Sequence, residues 1–298
     1  MSGRTARRRV LRVTVPDEAG DRDGAGAGNG SRATARADLL AAEEPLGIRV
    51  GGEALSLTMR TPGDDIDLTA GFLAGEGIIS SPADIEQIVI CSGERCGHDH
   101  AQEELGNIAD VTLAPGVAFR AGQRRNFLTT SACGVCGKSS IAELTVQGNY
   151  DLAADRVRVS PTVLAGLPDA LREAQRVFEA TGGLHAAGLF TAGGELLAIR
   201  EDVGRHNAVD KIVGWALRSG QLPLAGRVLL VSGRASFELV QKAVLAGIPV
   251  LAAVSAPSSL AADLAAQAGL TLVGFLRGGS MNVYAGQQRV AAAGDAEG

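Results

Sequence analysis

Two thiols, Cys133 and Cys136, lie within Thr129-Thr130-Ser131-Ala132-Cys133-Gly134-Val135-Cys136-Gly137-Lys138-Ser139-Ser140, a run of glycines and small hydroxyl residues with a single lysine. A thiolate is both a nucleophile and a soft metal ligand. The spacing therefore allows sulfur transfer at an exposed thiolate, dithiol redox exchange, or half of a tetrahedral zinc site. Gly134 and Gly137 remove side-chain bulk, so a large partner can approach either sulfur. A helix beginning near Lys138 would set Cys136 by its N-terminus, where backbone N–H groups and the lysine favour thiolate over thiol. The other half of a zinc site would be Cys91 and Cys96 with His98 and His100, but Cys-x4-Cys-x-His matches structural zinc spacing only loosely.

Two further stretches could hold an anion. Val231-Ser232-Gly233-Arg234-Ala235-Ser236 follows an apolar run and precedes a helical pattern, so its hydroxyls and backbone N–H groups could cradle a phosphate, with Arg234 supplying charge. Phe275-Leu276-Arg277-Gly278-Gly279-Ser280 repeats that chemistry at the end of the last apolar run. Between the cysteines and these loops, Arg200-Glu201-Asp202-Val203-Gly204-Arg205-His206-Asn207-Ala208-Val209-Asp210-Lys211 crowds ionisable and amide side chains beyond what a helix start needs for capping. His206 and Asn207, with Asp202 and Arg205, read as a functional polar cluster.

The elements that must position these residues follow from pattern. The chain of 298 residues is 46% hydrophobic and 3% aromatic, enough for a sizeable core of Ala, Val, Leu and Ile. Its net charge of -5 argues against general binding to a nucleic-acid backbone, although Arg4, Arg7, Arg8, Arg9 and Arg12 make a basic end that reads as a solvated tail. Residues 1–38 are expected to be a disordered tail, because 17–37 has almost no large apolar group to repay ordering. An N-terminal α+β subdomain is expected over 39–158. It would contain a hairpin around Gly51-Gly52, a helix opened at Thr61-Pro62-Gly63-Asp64-Asp65 and ended at Gly75-Glu76-Gly77, strands at 85–91 and 108–113, and then the cysteine loop. From Ser160-Pro161 to 290, one long helix, a hairpin at 186–200 and alternating helices and strands imply a three-layer α/β/α domain on a mostly parallel sheet, followed by a tail over 291–298. The interrupted apolar run at 244–256 is too short for a membrane span, and no signal segment is evident, so a cytoplasmic protein is expected.

Taken together, these residues resemble the formate dehydrogenase accessory sulfurtransferases, the FdhD family. The resemblance rests on Glu44-Pro45-Leu46, Gly71-Phe72-Leu73-Ala74-Gly75-Glu76-Gly77, Arg125-Asn126-Phe127, Cys133-Gly134-Val135-Cys136-Gly137, Thr181-Gly182-Gly183-Leu184-His185-Ala186-Ala187, Glu201-Asp202-Val203-Gly204-Arg205-His206-Asn207 and the 275–280 loop. It implies an enzyme that takes sulfur from a cysteine desulfurase as a persulfide on Cys133, with Cys136 relaying or resolving. The sulfur would pass to the molybdenum bis(molybdopterin guanine dinucleotide) cofactor of formate dehydrogenase.

The resemblance further implies a larger domain of cytidine-deaminase type, a homodimer, no permanently bound metal, and cofactor binding by Phe275, Leu276, Arg277, Gly278, Gly279 and Ser280. Ser232, Gly233, Arg234, His206 and Asn207 are expected to join them. Deamination itself is excluded by Ala187, which stands where a deaminase carries its acid/base glutamate. The competing expectations are a non-enzymatic chaperone for the guanine dinucleotide with structural cysteines, and a zinc-stapled binding module.

Overall fold

A computed structural model describes residues 3–15, 31–91, 107–117 and 149–290. The cysteine segment with Cys133 and Cys136 lies outside these residues, as do Cys96, His98, His100 and the 291–298 tail.

The N-terminal subdomain is a four-stranded sheet carrying one helix. Strands β3 (Glu44–Val50) and β4 (Glu53–Arg60) form the expected hairpin, with Gly51 and Gly52 both at positive φ in its turn. Strands β5 (Ile85–Cys91) and β6 (Ile108–Leu113) pair antiparallel, and β6 joins β3 in parallel, giving the order β4-β3-β6-β5. Helix α1 (Asp65–Gly75) covers one face. Its Leu68 packs on Leu46 and Ala109, and its Ala70 and Leu73 share a core with Ile48, Val50 and Val111.

The expectation of a wholly disordered N-terminal tail is corrected. Strands β1 (Thr5–Thr14) and β2 (Arg32–Ala41) pair antiparallel over ten residues as a separate two-stranded arm. Cross-strand backbone pairing needs no large side chains. The arm is tied to the body at its base, where Ala42 N donates to Arg4 O at 2.9 Å and Arg4 pairs with Asp64 at 2.6 Å.

The larger domain has helices α2 (Pro161–Ala174), α3 (Arg176–Thr181), α4 (Arg205–Arg218), α5 (Phe237–Leu245) and α6 (Ser259–Gln267) around a six-stranded sheet. The strands are β7 (His185–Thr191), β8 (Leu196–Asp202), β9 (Arg227–Val231), β10 (Val250–Ala253), β11 (Thr271–Arg277) and β12 (Ser280–Ala285), in the order β12-β11-β10-β9-β7-β8. Alternation along the strands builds the two faces. Ala187, Leu189, Leu229, Val231, Leu251 and Ala253 join α4, α5 and α6 in one core, whereas Ala186, Phe190, Val228, Leu230, Val250 and Ala252 meet Leu164, Leu167 and Leu171 of α2 in the other.

Three layers were expected and are found, but the sheet is mixed rather than mostly parallel. Only β9, β10 and β11 run parallel; β7, β8 and β12 are antiparallel to their neighbours. Strand β12 adds an edge beyond the expected alternation, with Met281 and Val283 alternating with Ser280, Asn282 and Tyr284 as in an edge strand. The long helix expected from Ser160 starts as read, with Ser160 Oγ accepting from Thr162 N at 3.2 Å, but it breaks at Gln175.

The two subdomains meet where α1 crosses α4. A Cβ on Gly71 would lie 1.8 Å from Asp210 O, and one on Gly214 1.8 Å from Asp67 O, so both positions must be glycine for the helices to approach this closely.

Candidate functional site

Strand β9 runs into Ser232, which is pinned by β7. Its N–H donates to Ala186 O at 3.0 Å, and its Oγ accepts from Ala186 N at 2.9 Å and lies 3.5 Å from His185 Nδ1. The next loops along the sheet edge are laced together through Ser255: Ser255 N donates to Gly233 O at 3.4 Å, and Phe275 N donates to Ser255 O at 3.1 Å. The structure thus brings Ser232 and Gly233 to the same carboxyl edge of the sheet as Phe275. In open α/β sheets this edge is where ligands gather.

The two anion loops differ in construction. Residues 232–236 do lead into a helix, α5, as the sequence implies, and Arg234 is exposed beside it. Residues 275–280 form a hairpin instead. Arg277 pairs with Ser280 across Gly278 and Gly279, which have φ of 57° and 76°, so β11 turns directly into β12 and no helix start is present. Ser280 Oγ donates to Arg277 O at 3.1 Å, and the Arg277 guanidinium sits 5.7 Å from the centre of the Phe275 ring. Phe275 has a φ of 52°, a left-handed conformation that costs a bulky residue energy and is held here at a bulge between Gly274 and Arg277. Leu276 is fully buried and anchors the turn.

Below this edge, between α2–α3 and the sheet, opens a cavity of about 620 Å³. Ser232, His185 and Val203 form part of its wall, and Asp169, Arg172, Gln175 and Phe178 line the opposite side. The break at Gln175 explains that side. It starts α3 in a new direction, and Glu201 caps the new helix by accepting from Val177 N at 3.0 Å and Phe178 N at 2.7 Å. Phe178 reaches the cavity with the Arg172 guanidinium 4.4 Å above its ring. Arg172, Gln175 and Phe178 were not among the expected site residues, and the only sequence signal for them was the polar Gln175 within an otherwise regular helical stripe.

The polar segment resolves into several separate tasks. Asp202, fully buried, ion-pairs with Lys211 at 2.7 Å and accepts from Thr61 N, Gly204 N and Asn207 Nδ2 at 3.1, 2.8 and 2.9 Å. Lys211 also donates to Thr61 O at 2.9 Å. Asn207 is committed to the same joint: its Nδ2 donates to Met59 O at 2.8 Å and its Oδ1 accepts from Thr58 Oγ1 at 3.2 Å. Expected as a ligand contact, Asn207 is placed by the structure as a clamp between α4 and the end of β4. Val203, whose N–H donates to Thr61 Oγ1 at 3.1 Å, links this clamp to the cavity wall.

His206 Nε2 lies 3.0 Å from Ser236 Oγ and 3.2 Å from Glu238, at the start of α5. Burial, then the Arg205 and Lys242 charges, push its pKa down to about 3, so the ring is neutral near pH 7. His185 is lowered as well, by burial first and by Arg205 second, against an opposing pull from Asp202. A second buried ion pair, Lys242 with Asp210 at 2.6 Å, is marked by no local pattern and sits against Gly75; a Cβ there would lie 2.8 Å from Lys242 Nζ.

Cys91 is buried at the end of β5 and disulfide-bonded, which removes it from any set of free thiolate ligands. Among the described residues no group of three or more His, Cys, Asp or Glu side chains could hold a metal ion. Nor is any described helix long and apolar enough to cross a membrane.

Comparison with known proteins agrees with this framework. Residues 41–291 match the model of the FdhD/NarQ family. Proteins named sulfur carrier protein FdhD from Streptomyces avermitilis and Streptomyces coelicolor are each 56% identical to the chain over 96% of its length and 96% of theirs. One so named from Mycobacterium tuberculosis is 52% identical over 86% of this chain and 92% of its own. A crystal structure from Desulfotalea psychrophila, described as a candidate formate dehydrogenase accessory protein, superposes with a TM-score of 0.66 over 95% of this chain and 99% of that one at 23% identity, a likeness of fold. The family match covers the four- and six-stranded sheets, the Gly71–Gly214 crossing and the cavity wall, and the chain belongs to the FdhD/NarQ family.

Proposed function

We propose that this protein is a sulfur carrier that loads sulfur from a cysteine desulfurase onto Cys133 as a persulfide and delivers it to the molybdenum bis(molybdopterin guanine dinucleotide) cofactor destined for formate dehydrogenase. The observation that carries the reading is the 56% identity, running the length of the chain, to relatives named sulfur carrier protein FdhD. In the loading step the Cys133 thiolate attacks the outer sulfur of the donor's persulfide. The donor's S–S bond breaks, its cysteine leaves as a thiolate, and a new S–S bond forms on Cys133. Cys136 then relays that sulfur or releases it. This is enzymatic sulfur transfer in the cytoplasm, by a homodimer.

The cavity supports the other half of the reading. About 620 Å³ accommodates one nucleotide. Its lining supplies a flat aromatic face at Phe178, hydrogen-bonding groups at Gln175, Asp169 and His185, and positive charge at Arg172. A guanine nucleotide arm of the cofactor fits there, with its phosphates directed toward Ser232, Gly233 and Arg234 and the Phe275–Ser280 hairpin at the rim. The decisive test is intact-mass analysis after incubation with a cysteine desulfurase and cysteine. A gain of one sulfur, roughly 32 Da, on the Cys133 peptide is expected. Undiminished formate dehydrogenase activity supported by Cys133→Ala would refute the reading.

A further inference from the structure

The sulfur loading and nucleotide binding proposed above draw on no residue of the β1–β2 arm, yet it is the most strongly charged element among the described residues. Its two strands carry six arginines against one aspartate, in a chain whose net charge is -5, so everything outside the two strands stands at -10. The pairing register sorts these charges. Arg8 lies opposite Asp38, Val10 opposite Arg36, Arg12 opposite Thr34 and Thr14 opposite Arg32, and these pairs share one face. Four guanidiniums thus form a ladder that alternates between strands, with steps of about 7 Å from the rise of an antiparallel strand. Only Arg36 has its charge partly met within the arm, by Asp38 at 3.2 Å.

The opposite face carries Arg7 and Arg9 across from Leu39 and Ala37, and beyond them Leu11 and Val13 across from Ala35 and Ala33, with Leu11 64% and Val13 55% exposed. Two-stranded ribbons are marginal in water by themselves, and an arm with a guanidinium ladder on one side and, on the other, an exposed aliphatic strip next to two more arginines gains most from a surface that covers both its charges and its apolar strip.

The geometry points to this arm as a docking surface for a partner protein that presents carboxylates beside aliphatic side chains. Guanidiniums in fixed register suit carboxylates, which they bind in a planar, bidentate manner. A nucleic acid is the poorer fit. Residues 1–41 contain no Phe, Tyr or Trp on which a base could stack, and the remainder of the chain is acidic and repels a polyphosphate. The Leu11–Val13 strip also asks for apolar cover, which a phosphodiester backbone does not provide. This assignment stands apart from the sulfur-carrier reading, since it needs neither cysteine.

The test uses the full-length chain and four labelled probes at about 0.15 M salt, where distant charges are screened. These are a peptide of repeating Glu-Leu, a peptide of repeating Glu-Ser, a single-stranded thymidine oligonucleotide of equal charge, and phosphatidylserine vesicles. The expected result is tightest binding to the Glu-Leu peptide. That binding should fall at least tenfold in the Arg8→Glu/Arg12→Glu/Arg36→Glu variant, and should fall to the level of the Glu-Ser peptide in Leu11→Ser/Val13→Ser. All substituted positions are solvent-facing and the Arg4–Asp64 anchor is untouched; an unchanged thermal midpoint confirms that the variants fold. Equal binding by the charge-reversed variant, or tighter binding to the oligonucleotide or the vesicles, overturns the proposal. So does a dimer of the wild-type chain that the same charge reversal dissociates in sedimentation, because the arm's occupant would then be a second copy.

Discussion

Replacing Lys211 with methionine should cost this protein more stability than any surface change, and the structure says how much. Lys211 is 1% exposed and Asp202 0%, with 2.7 Å between Nζ and the carboxylate. Methionine fills most of the lysine volume, so little cavity is created; the loss is electrostatic. Removing one partner of a buried ion pair leaves the other charge uncompensated, typically at about 3 to 5 kcal/mol. Asp202 keeps three N–H donors, from Thr61, Gly204 and Asn207, which places the cost near the lower end, at about 3 kcal/mol. For a chain of this size that corresponds to a fall of roughly 6 to 12 °C in thermal midpoint. Urea unfolding at neutral pH is the assay, with the midpoint shifting and the slope unchanged. A cycle with Asp202→Ala sharpens it: the double variant should cost less than the sum of the two singles by more than about 1 kcal/mol, since each single orphans a buried charge and the double orphans none. A loss below about 1 kcal/mol for Lys211→Met, or strict additivity in the cycle, would show that the pair is solvated and that the joint between β4 and α4 is held by something else.

Cys136→Ser should still load sulfur on Cys133 but hand it on more slowly; sulfur transfer to the cofactor at the wild-type rate would reduce the relay to one thiol, and release of zinc with equal loss of melting temperature from either cysteine variant would favour a structural role. In the cavity, Phe178→Ala should weaken GMP binding on the order of tenfold, because a base stacked on an aromatic ring is held by about 1 to 3 kcal/mol. Arg234→Ala or Arg277→Ala should cost GDP at least as much, from about 1.5 to 3 kcal/mol per charge-assisted contact, and calorimetry showing all three unchanged would remove the site from this edge. His206 predicts an acid sensitivity. Its folded pKa of about 3 lies below the unfolded value of 6.5, so the neutral ring contributes stability that is complete above pH 6.5 and is lost as pH falls from there toward 3. By pH 5 that amounts to roughly 2 kcal/mol, and His206→Gln should flatten the urea midpoint between pH 7 and 5 relative to wild type; parallel curves would count against a buried neutral histidine.

Much of this protein was determined by local pattern. The Gly51-Gly52 hairpin, the Ser160 cap and the alternation of helices and strands after residue 204 all follow from periodicity and turn chemistry, which act over a few neighbours and so are written in the chain itself. The family, too, was legible in motif order.

What only the tertiary structure decided are the pairings between distant residues. Nothing local tells β7 to run antiparallel to β9, or pairs β12 with β11 so that the Phe275–Ser280 stretch becomes a strained hairpin rather than a helix-opening loop. The N-terminal strands are ordered by backbone hydrogen bonds, to which composition is nearly blind. Glu201, Asp202, Asn207 and Lys211 advertised themselves as polar, but capping α3, neutralising a buried lysine and clamping β4 to α4 are contacts made with residues 9 to 150 positions away. A buried charge must find its partner wherever the fold brings one, because the interior offers no water to replace it.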